Sequence, residues 1–174
     1  MTANSYGPVR DDEGLLVRFG AAVTARTVLG PELAAAGFSI VEHLVAPHEL
    51  VAPLHMHSRE DEFTMVTKGR FGFLLGEDVF YAGPGELVRK PRDQWHTFWN
   101  AGDEPGRALE IISPAGFEQY FYEIADCFRD DGPPDLDTMA KANTKYGLKM
   151  DFESLPQLTE RFDLARPAEM DGMP

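Results

Sequence analysis

Two stretches of the sequence decide the fold: residues 55–69 read HMHSREDEFTMVTKG, and residues 85–100 read GELVRKPRDQWHTFWN. Each contains a short run rich in β-branched and aromatic residues, bounded by glycine or proline, which is typical of a β-strand next to a turn. The first stretch also carries two histidines and the second carries one. The two stretches therefore predict β-structure that presents imidazole groups.

The same strand-and-turn pattern extends on both sides, from about residue 15 to residue 112. Further strand-length runs alternate with turns rich in Gly, Pro and Asp, so that the predicted strands are 15–19, 38–45, 63–68, 71–75, 79–82, 86–90, 96–100 and 107–112. Many short strands at this spacing indicate an antiparallel sandwich or barrel. We therefore predict an all-β fold with a helical extension beyond residue 114, and a helical turn or a loop over residues 31–37.

Apolar residues recur at three- and four-residue intervals over residues 116–128, which predicts an amphipathic helix. A second helix is predicted from Asp135 or Asp137 to Tyr146, ended by Gly147, and a short third helix over 154–163. We expect one structural domain in three parts. An N-terminal arm with edge strands (1–37) precedes the barrel core (38–114), and a helical extension (115–174) follows.

The charge balance argues against some classes of partner. Sixteen Lys and Arg against 29 Asp and Glu give a net charge of −13, which repels nucleic-acid phosphates and anionic membrane surfaces. Cys127 is the single cysteine, so an internal disulfide and a thiolate-rich metal site are both excluded. We predict a cytoplasmic protein that binds a small molecule and neither nucleic acid nor membrane.

The histidines suggest a metal site. His55 and His57 point to the same face of a strand, with Cα atoms about 7 Å apart. Glu62 lies an odd number of residues from His55, so it shares that face only if the polar segment 58–61 bends the chain. By themselves, the charged residues 59–62 are better explained as a solvated loop. His96, at the start of another predicted strand, supplies a third imidazole and favours a divalent metal site.

Two further histidines, His43 and His48, are expected to be ordinary, partly buried polar residues.

The two stretches resemble the two conserved motifs of the cupin superfamily. The residues that carry the resemblance are His55, His57, Glu62 and Gly69 in the first motif, and Gly85, Pro91, His96 and Asn100 in the second. Two positions depart from the family pattern, because Glu49 and Asp93 stand where glycine is frequent. Asp tolerates a positive φ angle better than most residues, so the turn at Asp93 can be retained.

The resemblance implies a double-stranded β-helix, also called a jelly roll or cupin barrel, with one divalent transition metal ion inside. Its ligands would be His55, His57, Glu62 and His96, and the ion could be Fe, Mn, Ni, Co, Cu or Zn. The resemblance also implies a homodimer.

A narrower resemblance concerns the segments SPAGFEQYFYEI (113–124) and KANTKYGLKM (141–150). They are similar to the C-terminal extension of small one-domain cupins related to quercetin 2,3-dioxygenases. This resemblance implies a metal-dependent dioxygenase that acts on a small enolisable or hydroxylated aromatic substrate of flavonol or diketone type, with dioxygen as co-substrate. Glu62 would be the catalytic residue, either as a ligand or as a general base. Val66, Phe98 and Leu54 are predicted to line the substrate pocket.

Two other classes of function remain open at this level. A metal-dependent isomerase, or another cupin that modifies a small molecule, would need more polar groups facing the pocket. The candidates are Arg89, Lys90, Arg92 and Gln94, which we expect on the surface or in the turn of the second motif. A non-catalytic cupin that binds a small molecule is the other alternative.

Overall fold

The computed structural model describes residues 8–30, 37–128 and 135–165, so the helical turn or loop predicted over 31–37 lies, but for its last residue, outside the described residues. In this part of the chain, eleven strands precede, or are interleaved with, three α-helices. The strands are β1 (Leu15–Phe19), β2 (Val23–Leu29), β3 (Ser39–Val45), β4 (Leu54–His57), β5 (Asp61–Lys68), β6 (Phe71–Leu75), β7 (Asp78–Ala82), β8 (Leu87–Lys90), β9 (His96–Asn100), β10 (Gly106–Ser113) and β11 (Leu148–Asp151). The helices are α1 (Glu118–Ala125), α2 (Leu136–Tyr146) and α3 (Leu155–Phe162).

The strands form two antiparallel sheets, as the pattern of short runs predicted. The six-stranded sheet has the order β1-β2-β3-β10-β5-β8, and the five-stranded sheet has the order β11-β4-β9-β6-β7. Consecutive strands repeatedly pass from one sheet to the other, which is the topology of a double-stranded β-helix. The prediction of an all-β barrel with C-terminal helices is therefore confirmed. Strands β2 and β11 were not predicted from the sequence, although every second residue over most of β2 is buried.

Alternation along the strands fills the space between the sheets. In β3, β5 and β10 every second residue is buried, whereas its neighbours are only partly covered or exposed. One end of the barrel interior is apolar, with Val45, Val66, Phe71, Phe73 and Phe98 in one cluster. Polar side chains occupy the other part of the interior, and they form the site described below.

The predicted helices are present at nearly the expected positions. Asp135 caps α2 by accepting a hydrogen bond from the backbone N–H of Thr138, and Gly147 ends the helix with a left-handed φ of 69°. The apolar faces of α1 and α2 pack in one cluster with Val41 and Ile112 of the six-stranded sheet. No helix in the described ranges is both long and apolar enough to span a membrane.

The third helix covers the outer face of the five-stranded sheet. The Trp99 ring of β9 is 1% exposed and stacks on Phe162 of α3, with ring centroids 4.1 Å apart. Gly72 of the neighbouring β6 makes this packing possible, because a Cβ atom there would lie 2.2 Å from the indole ring. The absence of a side chain at Gly72 therefore fixes how closely the indole approaches the sheet.

We expect Gly72→Ala to destabilise the fold by about 1–3 kcal/mol, because the extra methyl group overpacks the site beneath Trp99. Gly83→Ala is the matched control, since its nearest atom would be a side-chain oxygen 3.8 Å away. Urea unfolding followed by tryptophan fluorescence measures both variants. Equal unfolding midpoints for the two would contradict this account of the packing.

Candidate metal centre

The four predicted ligands come from both sheets. His55 and His57 lie on β4 and His96 on β9 of the five-stranded sheet, whereas Glu62 lies on β5 of the six-stranded sheet. The chain crosses from one sheet to the other between His57 and Asp61. Glu62 therefore faces the histidines across the barrel interior. The parity of its spacing from His55 is not a constraint, because the two residues do not share a strand.

The structure brings these four side chains into one compact, buried cluster. One possible ligand atom from each of them lies within 4.8 Å of the others. His55 and His96 are directly opposite each other in the β4–β9 pair. The Nε2 atoms of His57 and His96 lie 3.4 Å and 3.1 Å from the two carboxylate oxygens of Glu62.

Hydrogen bonds to the backbone orient two of the imidazoles for metal binding. Nδ1 of His55 donates to the carbonyl of Pro53 over 2.8 Å, and Nδ1 of His96 donates to the carbonyl of Gln94 over 2.9 Å. Burial is the main cause that lowers the pKa of both rings, so they are neutral near pH 7. Nε2 of His55 then carries a lone pair, as a metal-binding histidine requires, whereas Nε2 of His96 faces a carboxylate oxygen of Glu62 at 3.1 Å. With the Glu62 carboxylate, this donor set fits a divalent transition metal.

The third imidazole, that of His57, has a carboxylate near its Nδ1 atom, whereas Nδ1 of His55 and of His96 contacts a backbone carbonyl. Nδ1 of His57 lies 3.7 Å from an oxygen of Glu60, and both side chains are buried. In the described part of the chain neither of these two atoms makes a hydrogen bond. A small movement of either side chain would let Nδ1 donate to Glu60 while Nε2 binds a metal. Such a carboxylate–histidine pair raises the basicity of the ligand nitrogen.

A buried lysine holds the Glu62 carboxylate from the opposite side. Lys90 is 1% exposed, and its Nζ lies 3.0 Å from Glu62 and 2.8 Å from Glu110. Thr64 donates a further hydrogen bond to Glu110. Burial lowers the pKa of Lys90, but the two carboxylates outweigh it and leave the pKa raised. Burial raises the pKa of Glu62, but the neighbouring imidazoles and Lys90 outweigh that effect, so the group stays ionised.

This position of Lys90 differs from the sequence-based expectation of a surface residue, which was wrong. Val88 and Lys90 point inward because they share one face of the pleated strand β8, with exposed residues between them. The other three candidates behave more nearly as expected. Arg89 and Arg92 are exposed, and Gln94 is partly buried in the turn before β9.

The cluster of His55, His57, Glu62 and His96 opens onto a cavity of about 320 Å³ between the barrel and the C-terminal helices. Its wall is mainly apolar and includes the predicted pocket residue Phe98. Further rings from the N-terminal strands and the helical segments are Phe19, Phe117, Tyr120, Phe121 and Phe128. Helix α1 therefore contributes both to the core and to the cavity wall.

The other two predicted pocket residues, Val66 and Leu54, lie elsewhere. Val66 shares the inward face of β5 with Glu62, but it is further along the strand and packs in the apolar cluster with Phe71 and Phe73. Leu54 precedes His55 on β4, so it points to the opposite side of the sheet and packs near Trp99.

His43 was expected to be an ordinary polar residue, but it lines the cavity. It is 3% exposed on the inward face of β3, and Nδ1 donates to the carbonyl of Thr24 over 3.3 Å. Burial lowers the pKa of His43 to about 4. Its position facing the cavity depends on strand pairing, so no local sequence signal identified it. His48 is an ordinary, partly buried polar residue, as predicted, and its side chain pairs with Asp103.

Two residues of the second motif stabilise the backbone around the site. Asp93 adopts a φ of 60°, as expected for a residue in place of glycine, and its N–H donates to the carbonyl of His57 over 2.7 Å. The Asn100 side chain donates to the backbone carbonyls of Val45, Ala46 and Glu104. The hydrogen bond of Asp93 thus joins the loop before His96 to the end of β4.

If Glu60 orients His57, Glu60→Gln should lower the affinity for Zn²⁺ about tenfold, because the ligand loses a charged partner for its Nδ1–H. Glu77→Gln removes an exposed carboxylate and should leave the affinity unchanged. Isothermal titration of the metal-free proteins measures both. Unaltered zinc affinity in Glu60→Gln would show that the pair does not form on metal binding.

His43 should make stability depend on pH. The pKa of His43 is about 4 in the folded protein, against its ordinary value of 6.5, so between these pH values the unfolded chain binds a proton that the folded chain does not. The free energy of unfolding therefore falls as the pH drops below 6.5. The expected decrease due to His43 is about 2 kcal/mol between pH 7 and pH 5. In urea unfolding of the metal-free proteins, the free energy of unfolding of wild type should fall by about 2 kcal/mol more than that of His43→Gln between pH 7 and pH 5. Parallel losses would refute the buried neutral ring.

Comparison with known proteins agrees with this architecture. Residues 41–112 match the sequence model of the cupin domain. The structure of KdgF from Halomonas sp. is similar with a TM-score of 0.56 at 16% identity, covering 64% of this chain and 97% of that one. No curated protein matches the sequence significantly.

Two further structures are similar over a smaller part of the chain. A sugar phosphate isomerase of the cupin superfamily from Silicibacter pomeroyi has a TM-score of 0.47 at 24% identity, covering 53% of this chain and 59% of that one. A protein with a double-stranded β-helix domain from Klebsiella pneumoniae has a TM-score of 0.49 at 20% identity, covering 57% and 84%. At such identities the likeness to KdgF concerns the fold. The match to the cupin-domain model covers less than half of the chain, and it contains all four residues of the His/Glu cluster.

Proposed function

We propose that the protein is a metal-dependent dioxygenase that acts on a small enolisable or hydroxylated aromatic substrate, of flavonol or diketone type. The observation that carries this proposal is the opening of the three-histidine, one-glutamate cluster onto a mainly apolar cavity whose wall includes several aromatic rings. A planar aromatic molecule fits such a wall, whereas a sugar would leave its many hydroxyl groups without partners.

The ligands would be His55, His57, Glu62 and His96. When bound, a divalent transition metal supplies a Lewis acid that lowers the pKa of a substrate hydroxyl. The protein's part is to orient the substrate and to move its proton. Phe98, Phe117 and Phe121 provide apolar surfaces that hold a planar ring and exclude water from the cavity.

Glu62 is placed for either of its two proposed roles. One carboxylate oxygen faces Nε2 of His57, and the other lies between Nε2 of His96 and Nζ of Lys90. The ion pair with Lys90 keeps the carboxylate ionised, so that it can bind a metal or accept a proton from a substrate hydroxyl. Lys90 in turn is held by Glu110, which limits how far it can move toward the substrate.

The same lysine–carboxylate pair favours a second candidate, a metal-dependent isomerase. Lys90 and Glu110 both line the cavity and could act as an acid and a base without consuming oxygen. Burial raises the pKa of Glu110 to about 7, which is within the range where a general base operates. A non-catalytic cupin that binds a small molecule is the remaining possibility that the same experiment addresses.

Elemental analysis of the purified protein, combined with measurement of dioxygen uptake on a panel of flavonols and diketones, tests the proposal. We expect one bound transition metal and oxygen consumption that is abolished in His96→Ala. Glu62→Ala should retain much of its metal through three imidazoles, yet lose activity at least about 100-fold. His48→Ala, which removes a partly buried histidine, is the matched control and should retain full activity.

Metal without oxygen uptake would overturn the dioxygenase proposal and favour the isomerase or the binding protein. Absence of metal even after reconstitution would overturn the ligand assignment itself.

A further inference from the structure

We propose that His43 accepts a hydrogen bond from a hydroxyl group of the substrate, and that it thereby selects hydroxylated aromatic compounds over their methyl ethers. This inference rests on the proposed function, since it names a property of the substrate that would occupy the same cavity. It concerns a residue outside both cupin motifs.

His43 is a polar group in an aromatic part of the wall. Its ring packs edge-on against Phe98 of β9 and Phe121 of α1, with centroid distances of 5.9 Å and 5.7 Å. Strand β3 fixes the backbone on both sides, through pairing with β2 and β10. The ring is therefore held rigidly between the barrel and the helical extension.

The protonation state of the ring follows from its partner. A backbone carbonyl can only accept, so Nδ1 must carry the proton that it donates to Thr24. Because the buried ring is neutral near pH 7, Nε2 carries a lone pair. Within the described ranges no donor is found for this atom, although His43 lines the cavity. Because His43 lines the cavity, a ligand with a suitably placed donor can pair with this acceptor.

The chemistry of this acceptor defines the ligand. Neutral Nε2 can bind an O–H or N–H group but cannot donate to a carbonyl, an ether or a carboxylate. A site built to hydrogen-bond a hydroxyl discriminates strongly against an analogue that lacks it, because the protein group then stays unpaired. The surrounding rings favour a hydroxyl carried on an aromatic system. The metal centre binds one oxygen of the substrate, and His43 would bind a second hydroxyl.

A pair of matched probes tests this recognition. Both 2,6-dihydroxynaphthalene and 6-methoxy-2-naphthol can place one hydroxyl at the metal centre, but only the diol has a second donor. Binding is measured by fluorescence titration of the full-length chain, loaded with redox-inert Zn²⁺ and again after metal removal. We expect wild type to prefer the diol by about tenfold or more, the value of one neutral hydrogen bond.

His43→Phe should reduce that preference to about twofold. The remaining factor is statistical, because either of the two equivalent hydroxyl groups of the diol can lie at the metal centre. His43→Gln, whose amide oxygen can still accept, should keep part of the preference and guards against misfolding of the phenylalanine variant. Phe121→Leu should weaken both probes equally and leave their ratio unchanged. Retention of the full preference in both His43 variants would overturn the proposal. These titrations involve no turnover, so their outcome is independent of the test for oxygen uptake.

Discussion

The cluster of charged and ionisable side chains inside the barrel is the constraint on which the rest of the structure depends. Glu62, Lys90 and Glu110 are each almost completely buried, and a single unpaired charge there would be strongly destabilising. The ion pairs of Lys90 with the two carboxylates, formed between strands of the six-stranded sheet, offset the free-energy cost of burying these charges. The imidazoles on the facing sheet complete the arrangement, and a divalent cation would offset the excess of carboxylate charge.

The C-terminal helices connect folding to the proposed activity. Helix α1 packs its apolar face on the barrel, and the same residues close the cavity above the metal cluster. Stabilising the core and shaping the pocket are therefore not separable at Phe117 or Phe121. Helix α3 packs mainly on the outer face of the five-stranded sheet, against Trp99 of β9, and its first residue, Leu155, also lines the cavity.

Much of the fold could be predicted because it depends on local patterns. Short alternating runs identified most strands, three- and four-residue periodicity identified α1, and Gly147 marked the end of α2. Asp93 was correctly expected to tolerate a positive φ. Strands β2 and β11 were not predicted, and they are held in their sheets by pairing with β3 and β4.

The sequence by itself determined that four side chains capable of binding a metal, His55, His57, Glu62 and His96, stand at the spacing of the cupin motifs. Only the tertiary structure decided that Glu62 meets the histidines from the opposite sheet, that Lys90 is buried beside it, and that His43 faces the cavity. The physical reason is that alternation along a strand tells which residues share a face, but not which face is covered. That depends on pairing between strands distant in sequence and on the helices that close the barrel.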